Sequence, residues 1–196
     1  LQSRGLGDVY KRQREIRSIL SRHAIDLRAQ GEYNIDSAEE TGLTFVENAL
    51  IKARHAALET GLPAIAEDSG LVVDALGGAP GIHSARYAGE DSNAERNVTK
   101  LLTAMDNVGN DARDARFVCV MAWLESPDDP WPRIGLGEWP GRIARAASGT
   151  GGFGYDPVFI PAGETRTAAQ LDPDEKNRVS HRARALIALT AHLHSP

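Results

Sequence analysis

Two pairs of acidic residues could do chemistry in this 196-residue chain. Glu39-Glu40 precedes a capped helix, and Glu67-Asp68 stands where an apolar stretch ends. Carboxylates at strand ends are common holders of Mg²⁺, which takes a few of them together with water and substrate phosphates. In an extended segment Glu67 and Asp68 point to opposite faces, so one of them at most points straight into a cleft. The blander readings are a solvated turn for Glu39-Glu40 and a turn-forming Asp before Ser69-Gly70 for Asp68. A basic cluster follows much later: Lys176, Arg178, His181, Arg182 and Arg184 fall within nine residues. Such a cluster clamps phosphates, or else it is a solvated helix face. Between them Gly149 to Gly154 matches G-x-G-x-x-G. The strand pattern Tyr155 to Phe159 follows, where a dinucleotide fingerprint requires a helix, so that reading fails. The loop still carries Phe153 and Tyr155, aromatic rings against which a flat base can lie. There is no G-K-[ST] and no H-E-x-x-H. Metal carboxylates, phosphate-binding cations and a glycine-aromatic loop together point to a nucleotide enzyme.

These groups need elements to hold them. Thr44 and Glu47 form a capping box that opens a helix to Thr60, with Val46, Ala49, Leu50, Ala53 and Ala57 on its apolar stripe and Gly61 as its stop. Leu62 to Ala66, Glu67 to Gly70 and Leu71 to Leu76 read as strand, acidic turn, strand. Ala75 to Gly89 reads as a glycine-rich loop, and Ser92 with Glu95 as a second capping box. Phe117 to Leu124 is apolar on both faces, as a central strand is, and buries Cys119 as a small hydrophobe. Ile134 to Ala146 reads as one or two strands, broken at Pro140-Gly141, and Pro157 to Ile160 as a short strand. Asp172-Pro173-x-Glu175 starts a helix, with Val179, Ala183, Leu186, Ile187 and Leu193 on its stripe. One helix from Pro173 and a break before Ser180 both fit. His192 and His194 read as a frayed helix end, and a weak helix begins near Arg14. Residues 1–13, without apolar pattern, read as a tail or cloning remnant, leaving 14–196 as a single domain.

Composition narrows the class. Hydrophobic residues make up 41% and charged residues 25%, the balance of a globular α/β or α+β domain. With 22 Lys and Arg against 27 Asp and Glu the net charge is -5, which argues against a general nucleic-acid binder. One cysteine excludes an intrachain disulfide and a Cys-rich zinc site, and the cytoplasm is the default compartment. No apolar run approaches the ~20 residues of a membrane span.

Four segments carry a resemblance: 37–57 (SAEETGLTFVENALIKARHAA), 63–91 (PAIAEDSGLVVDALGGAPGIHSARYAGED), 149–159 (GTGGFGYDPVF) and 175–186 (EKNRVSHRARAL). With them the chain resembles the inosine triphosphate pyrophosphatase family, in its bacterial branch, over nearly its whole length from about Arg14. The resemblance implies a long curved mixed sheet flanked by helices, with two lobes around a central cleft. It implies hydrolysis of non-canonical purine nucleoside triphosphates (dITP, ITP, XTP) to monophosphate and pyrophosphate, a need for Mg²⁺, and a homodimer. Residue by residue, Asp68 matches the catalytic and metal position, Glu40 a metal carboxylate, and Lys52 a group reaching the phosphates. Ser69 matches a substrate contact, Phe153, Gly154, Tyr155 and Asp156 the base-binding loop, and Lys176, His181 and Arg182 further nucleotide contacts. In one place the chain departs from the pattern. The family opens with an apolar strand and a T/S-x-N-x-x-K phosphate loop, of which neither strand nor Asn is present here. Lys11 and Arg12 stand close to the loop lysine without aligning to it, which predicts weaker triphosphate binding. Two other readings therefore stand beside the enzyme: a nucleotide-binding protein with little turnover, and a hydrolase of the same scaffold releasing orthophosphate.

Overall fold

The computed structural model describes residues 25–191. The readings of residues 1–13, of a helix near Arg14, and of Leu193, His192 and His194 lie outside that range.

Helix α1, Phe45–Thr60, begins where the capping box places it. Thr44 Oγ1 accepts from the Glu47 N–H at 3.2 Å, and Glu47 Oε2 reaches back to the Leu43 N–H at 2.9 Å. Gly61 closes the helix in the left-handed conformation, at φ 65°. The buried face is Asn48, Ala49, Ala53 and Ala57. Small side chains there let the helix lie close on the sheet, against Val120, Ala122 and Leu124.

Strand β1, Ala64–Val73, corrects the expected strand-turn-strand. It runs unbroken through Glu67 to Gly70, which pair with Met121, Val120, Cys119 and Val118. The charges that read as a surface turn are matched by cations from helices on either face of the strand, so the strand need not leave the protein to hydrate them.

Helix α2, Ala94–Ala104, is capped by Asn93 and not by Ser92: Asn93 Oδ1 accepts from the Arg96 N–H at 2.9 Å. Either residue type is a good N-cap, and the extended conformation falls on Asn93. Strand β2, Asp114–Leu124, is central as expected, paired antiparallel with β1 and with β3, Arg133–Ile143. The latter is one strand through Pro140-Gly141. The Pro140 carbonyl accepts from the Ala162 N–H at 2.9 Å, on the side away from β2. The N–H that proline lacks falls on that same side, outside the ladder with β2. A single helical turn at Asp156–Val158 shortens the last strand, β4, to Phe159–Pro161.

The order β1-β2-β3-β4 makes a four-stranded sheet, antiparallel throughout the described residues. Helix α3, Pro173–Val179, is capped by Asp172 as predicted. The open question after it is settled at Ser180, which is extended and separates α3 from α4, His181–Ala191. The Ser180 Oγ accepts from the Ala183 N–H at 3.3 Å and so caps α4. With α1 over β1 and β2, and α4 over β2 and β3, the sheet is covered on both faces, an α/β layering.

Glycine at two positions of β3 sets how near α4 comes. A Cβ on Gly135 would collide with the Ala185 carbonyl, and one on Gly137 with the His181 carbonyl. Gly137→Ala therefore forces the start of α4 off the sheet. Its expected effect is a loss of about 1–3 kcal/mol, typical of overpacking. Thermal unfolding checks this, with a fall of about 2–4 °C per kcal/mol expected for a chain of this size.

Candidate active site

Consecutive residues of β1 serve two clusters, one on each face. On the α1 face, Lys52 sits one turn beyond Asn48 and donates to Asp68 Oδ1 at 2.7 Å and to Glu40 Oε1 at 3.0 Å. Arg86, at the end of the turn Gly81–Arg86, lies 3.7 Å from Glu40 Oε2. Glu39 is exposed, so the solvated-turn reading holds for it and not for Glu40. Burial pushes the Asp68 carboxyl above its ordinary range; the Lys52 ammonium opposes this, and the Glu40 charge adds to it. A carboxylate so raised is a better proton acceptor near neutral pH than an exposed one.

The second oxygen, Asp68 Oδ2, is buried and meets no donor with hydrogen-bond geometry among the described residues; the Asn48 amide, whose Nδ2 likewise completes no bond, lies near enough to favour the charged form of Asp68. A buried carboxylate oxygen left without a donor is costly. It is also the ligand a hard divalent cation takes. No group of three or more His, Cys, Asp or Glu gathers around a metal position among the described residues. Glu40 and Asp68 therefore offer a partial shell, which fits an ion completed by water and substrate phosphates.

On the α4 face, Arg182 is 6% exposed and makes a two-pronged ion pair with Glu67, Nε to Oε2 at 2.7 Å and Nη2 to Oε1 at 2.9 Å. Ser69, two residues along the same face, has its Oγ 3.5 Å from Arg182 Nη2. Lys176, on α3, pairs with the buried carboxylate of Asp156. Asp156 Oδ2 also accepts from the Phe153 N–H at 2.6 Å, and this folds the glycine loop back on itself. Both cations meet the half-buried Phe153 ring: Lys176 Nζ is 4.7 Å and Arg182 Cζ 5.7 Å from its centroid.

Most of the residues singled out by sequence thus assemble into two connected groups, Glu40, Lys52 and Asp68 in one and Ser69, Phe153, Asp156, Lys176 and Arg182 in the other. Gly154 is in the same loop, at φ 60°. His181 packs flat on Phe117, centroids 4.8 Å apart. Tyr155 turns into the core, where its hydroxyl donates to the Ser84 carbonyl at 2.9 Å and burial pushes its phenol up. Arg178 and Arg184 are exposed, as a solvated helix face requires. Sequence reasoning passed over Asn48 as a site residue; its place four residues before Lys52, on one helix face, was the available signal. It read Glu67 only as one half of an acidic pair that could hold a metal, and no local signal pairs Glu67 with Arg182.

An α/β sheet carrying a carboxylate-lysine cluster and a cation-flanked aromatic loop on adjoining residues belongs to a known class. A family description, the Ham1 family, matches residues 10–192, and the chain belongs to that family. This bears out the resemblance read from the four motif segments. The chain is 57% identical over 173 residues to the dITP/XTP pyrophosphatases of Shigella flexneri and of Escherichia coli K12, covering 88% of each chain. Among solved structures it is similar to a HAM1 protein from Coxiella burnetii, with TM-score 0.89 and 46% identity, covering 97% of this chain and 95% of that one. It is also similar to the Staphylococcus aureus Ham1 protein, with TM-score 0.85 and 38% identity over 97% of this chain and 95% of that one.

Proposed function

We propose that this protein hydrolyses non-canonical purine nucleoside triphosphates, such as dITP, XTP and ITP, to the monophosphate and pyrophosphate. One observation carries the reading: Glu67, Asp68 and Ser69, three consecutive residues of β1, join the Glu40–Lys52–Asp68 cluster to the Lys176–Phe153–Arg182 cluster. Triphosphate and base are recognised by different chemistry, and a nucleotide spanning both clusters meets each with the matching end. The names of the curated relatives, dITP/XTP pyrophosphatase, point to two of these substrates.

Water attacks the α-phosphorus, the bond from that phosphorus to the bridging oxygen breaks, and pyrophosphate leaves. Asp68 holds the water and takes its proton. Lys52 stands where its ammonium can transfer from the two carboxylates to the incoming phosphates. Asp68 and Glu40 would hold a divalent cation such as Mg²⁺, which when bound would neutralise part of the phosphate charge. Phe153 offers its ring to the purine, and Lys176 and Arg182 offer donors at the ring edge.

The protein works as a homodimer in the cytoplasm, a reading supported by the family resemblance; sedimentation at micromolar concentration tests the dimer. Among the described residues no helix is long and apolar enough to cross a membrane. The decisive experiment incubates the protein with a panel of triphosphates and Mg²⁺ and identifies the products. Monophosphate with pyrophosphate is expected. Orthophosphate as the product, or tight binding with no product, overturns the proposal.

A further inference from the structure

We infer that Glu67 is a positioning residue for substrate selection: it fixes the guanidinium of Arg182 beside Phe153, and so sets where the purine edge meets a donor. The inference rests on the proposed reaction for its substrate and on the Glu67–Arg182 geometry for its substance.

Glu67 occupies both Nε and Nη2 of Arg182, at 2.7 and 2.9 Å, which settles the plane of the guanidinium as well as its distance. Arg182 is the second residue of α4, and its backbone is held against β3 by the absence of a side chain at Gly137. The guanidinium is thus gripped from both ends, at the backbone by packing and at the tip by Glu67. The result places its Cζ 5.7 Å from the Phe153 centroid. The neighbouring cation is held in the same manner: Lys176 faces the same ring and is gripped by Asp156, whose carboxylate also fastens the Phe153 N–H. Each cation flanking the aromatic ring therefore has its own carboxylate, one from the glycine loop and one from β1. The Glu67 carboxylate oxygen Oε2 also lies 3.7 Å from the Cys119 Sγ, on the neighbouring strand, so its own position is fixed from the sheet side.

A pair that merely staples α4 to β1 would alter stability and leave recognition untouched. The two roles separate in kinetics. Glu67→Gln keeps the size of the side chain and removes its charge. Its expected result is a KM for ITP raised about tenfold or more, a kcat at saturating ITP within about threefold of wild type, and a kcat/KM ratio of ITP to ATP that falls by about the same tenfold. Glu67 affects recognition through Arg182, so in an Arg182→Met background Glu67→Gln adds no further change in KM. Replacing both charges together also spares the unpaired buried cation that makes the single variant prone to misfold. Should Glu67→Gln alone not fold, Glu67→Asp, which keeps the charge and shortens its reach, carries the same expectation. An unchanged KM and selectivity in the folded variant, or additive effects in the Arg182→Met background, overturn the inference. Calorimetric binding of inosine monophosphate to wild type and Glu67→Gln separates this outcome from a failure of the proposed reaction. If wild type releases no pyrophosphate from ITP, the reaction is wrong, and an equal Kd for the monophosphate in the two proteins then overturns the role of Glu67 as well.

Discussion

Asp68→Asn lowers kcat by ~10²–10⁴ while substrate binding changes far less, the loss expected when a general base is removed. The substitution is nearly isosteric, and the new carboxamide oxygen can still accept from Lys52, which now bonds Asp68 Oδ1 at 2.7 Å. Lys52 also keeps its pair with Glu40 at 3.0 Å, so no buried cation is stranded. The fold is therefore retained, and loss of burial strain on the Asp68 carboxylate offsets part of the lost ion pair. What disappears is the proton acceptor and one of two metal-holding carboxylates. The measurement is kcat at saturating ITP and Mg²⁺, with thermal unfolding alongside. Near-normal turnover by a fully folded variant would place the base elsewhere.

The second large effect is discrimination between bases. The kcat/KM for ITP is expected to exceed that for ATP by a factor on the order of 10⁴, the range available to a site that pairs a polar group of one substrate and leaves it unpaired in another. Arg182 and Lys176 have N–H donors and no acceptors. Each is held by its own carboxylate, so neither can retreat from a mismatched base without breaking an ion pair. The 6-oxo group of hypoxanthine or xanthine accepts from such donors. The 6-amino group of adenine sets a donor against a donor and leaves both unpaired in a partly dry site, a loss of ~1–3 kcal/mol or more for each group. Initial rates with both triphosphates across a range of concentrations give the ratio, and equal values for ITP and ATP refute the assignment of these cations to the base.

What was legible in the chain was local. The Thr44–Glu47 box, the Asp172-Pro173 start and the Gly61 stop each lie within a few residues of the backbone groups they satisfy, and all three stand where the sequence put them. The apolar run of β2 was legible because burial on both faces of a strand leaves no polar alternation. Ser92 and Asn93 were harder to separate, since both are good caps and only the turn of chain before them selects one. Tyr155 shows the opposite difficulty. An aromatic residue in a glycine loop reads as a platform for a base, yet its hydroxyl finds the Ser84 carbonyl, 71 residues earlier, and the ring goes to the core.

Spacing along one element was enough for both limits of the Phe45–Thr60 helix, the start at Pro173, the central strand, the acidic and basic partners available, and the glycine loop with its aromatic side chain. The distribution of the charges rests instead on contacts between residues far apart in the chain. Glu67 and Asp68 looked like the tip of a turn, since two adjacent carboxylates with no local cations ought to be in water. The cations come from far along the chain: Lys52 stands 16 residues before Asp68, and Arg182 stands 115 residues after Glu67. The alternation of a strand sends the two carboxylates to opposite faces, and a helix on each face brings one cation to each. That is why β1 continues through its charged middle, and why one dipeptide joins the phosphate side of the site to the base side.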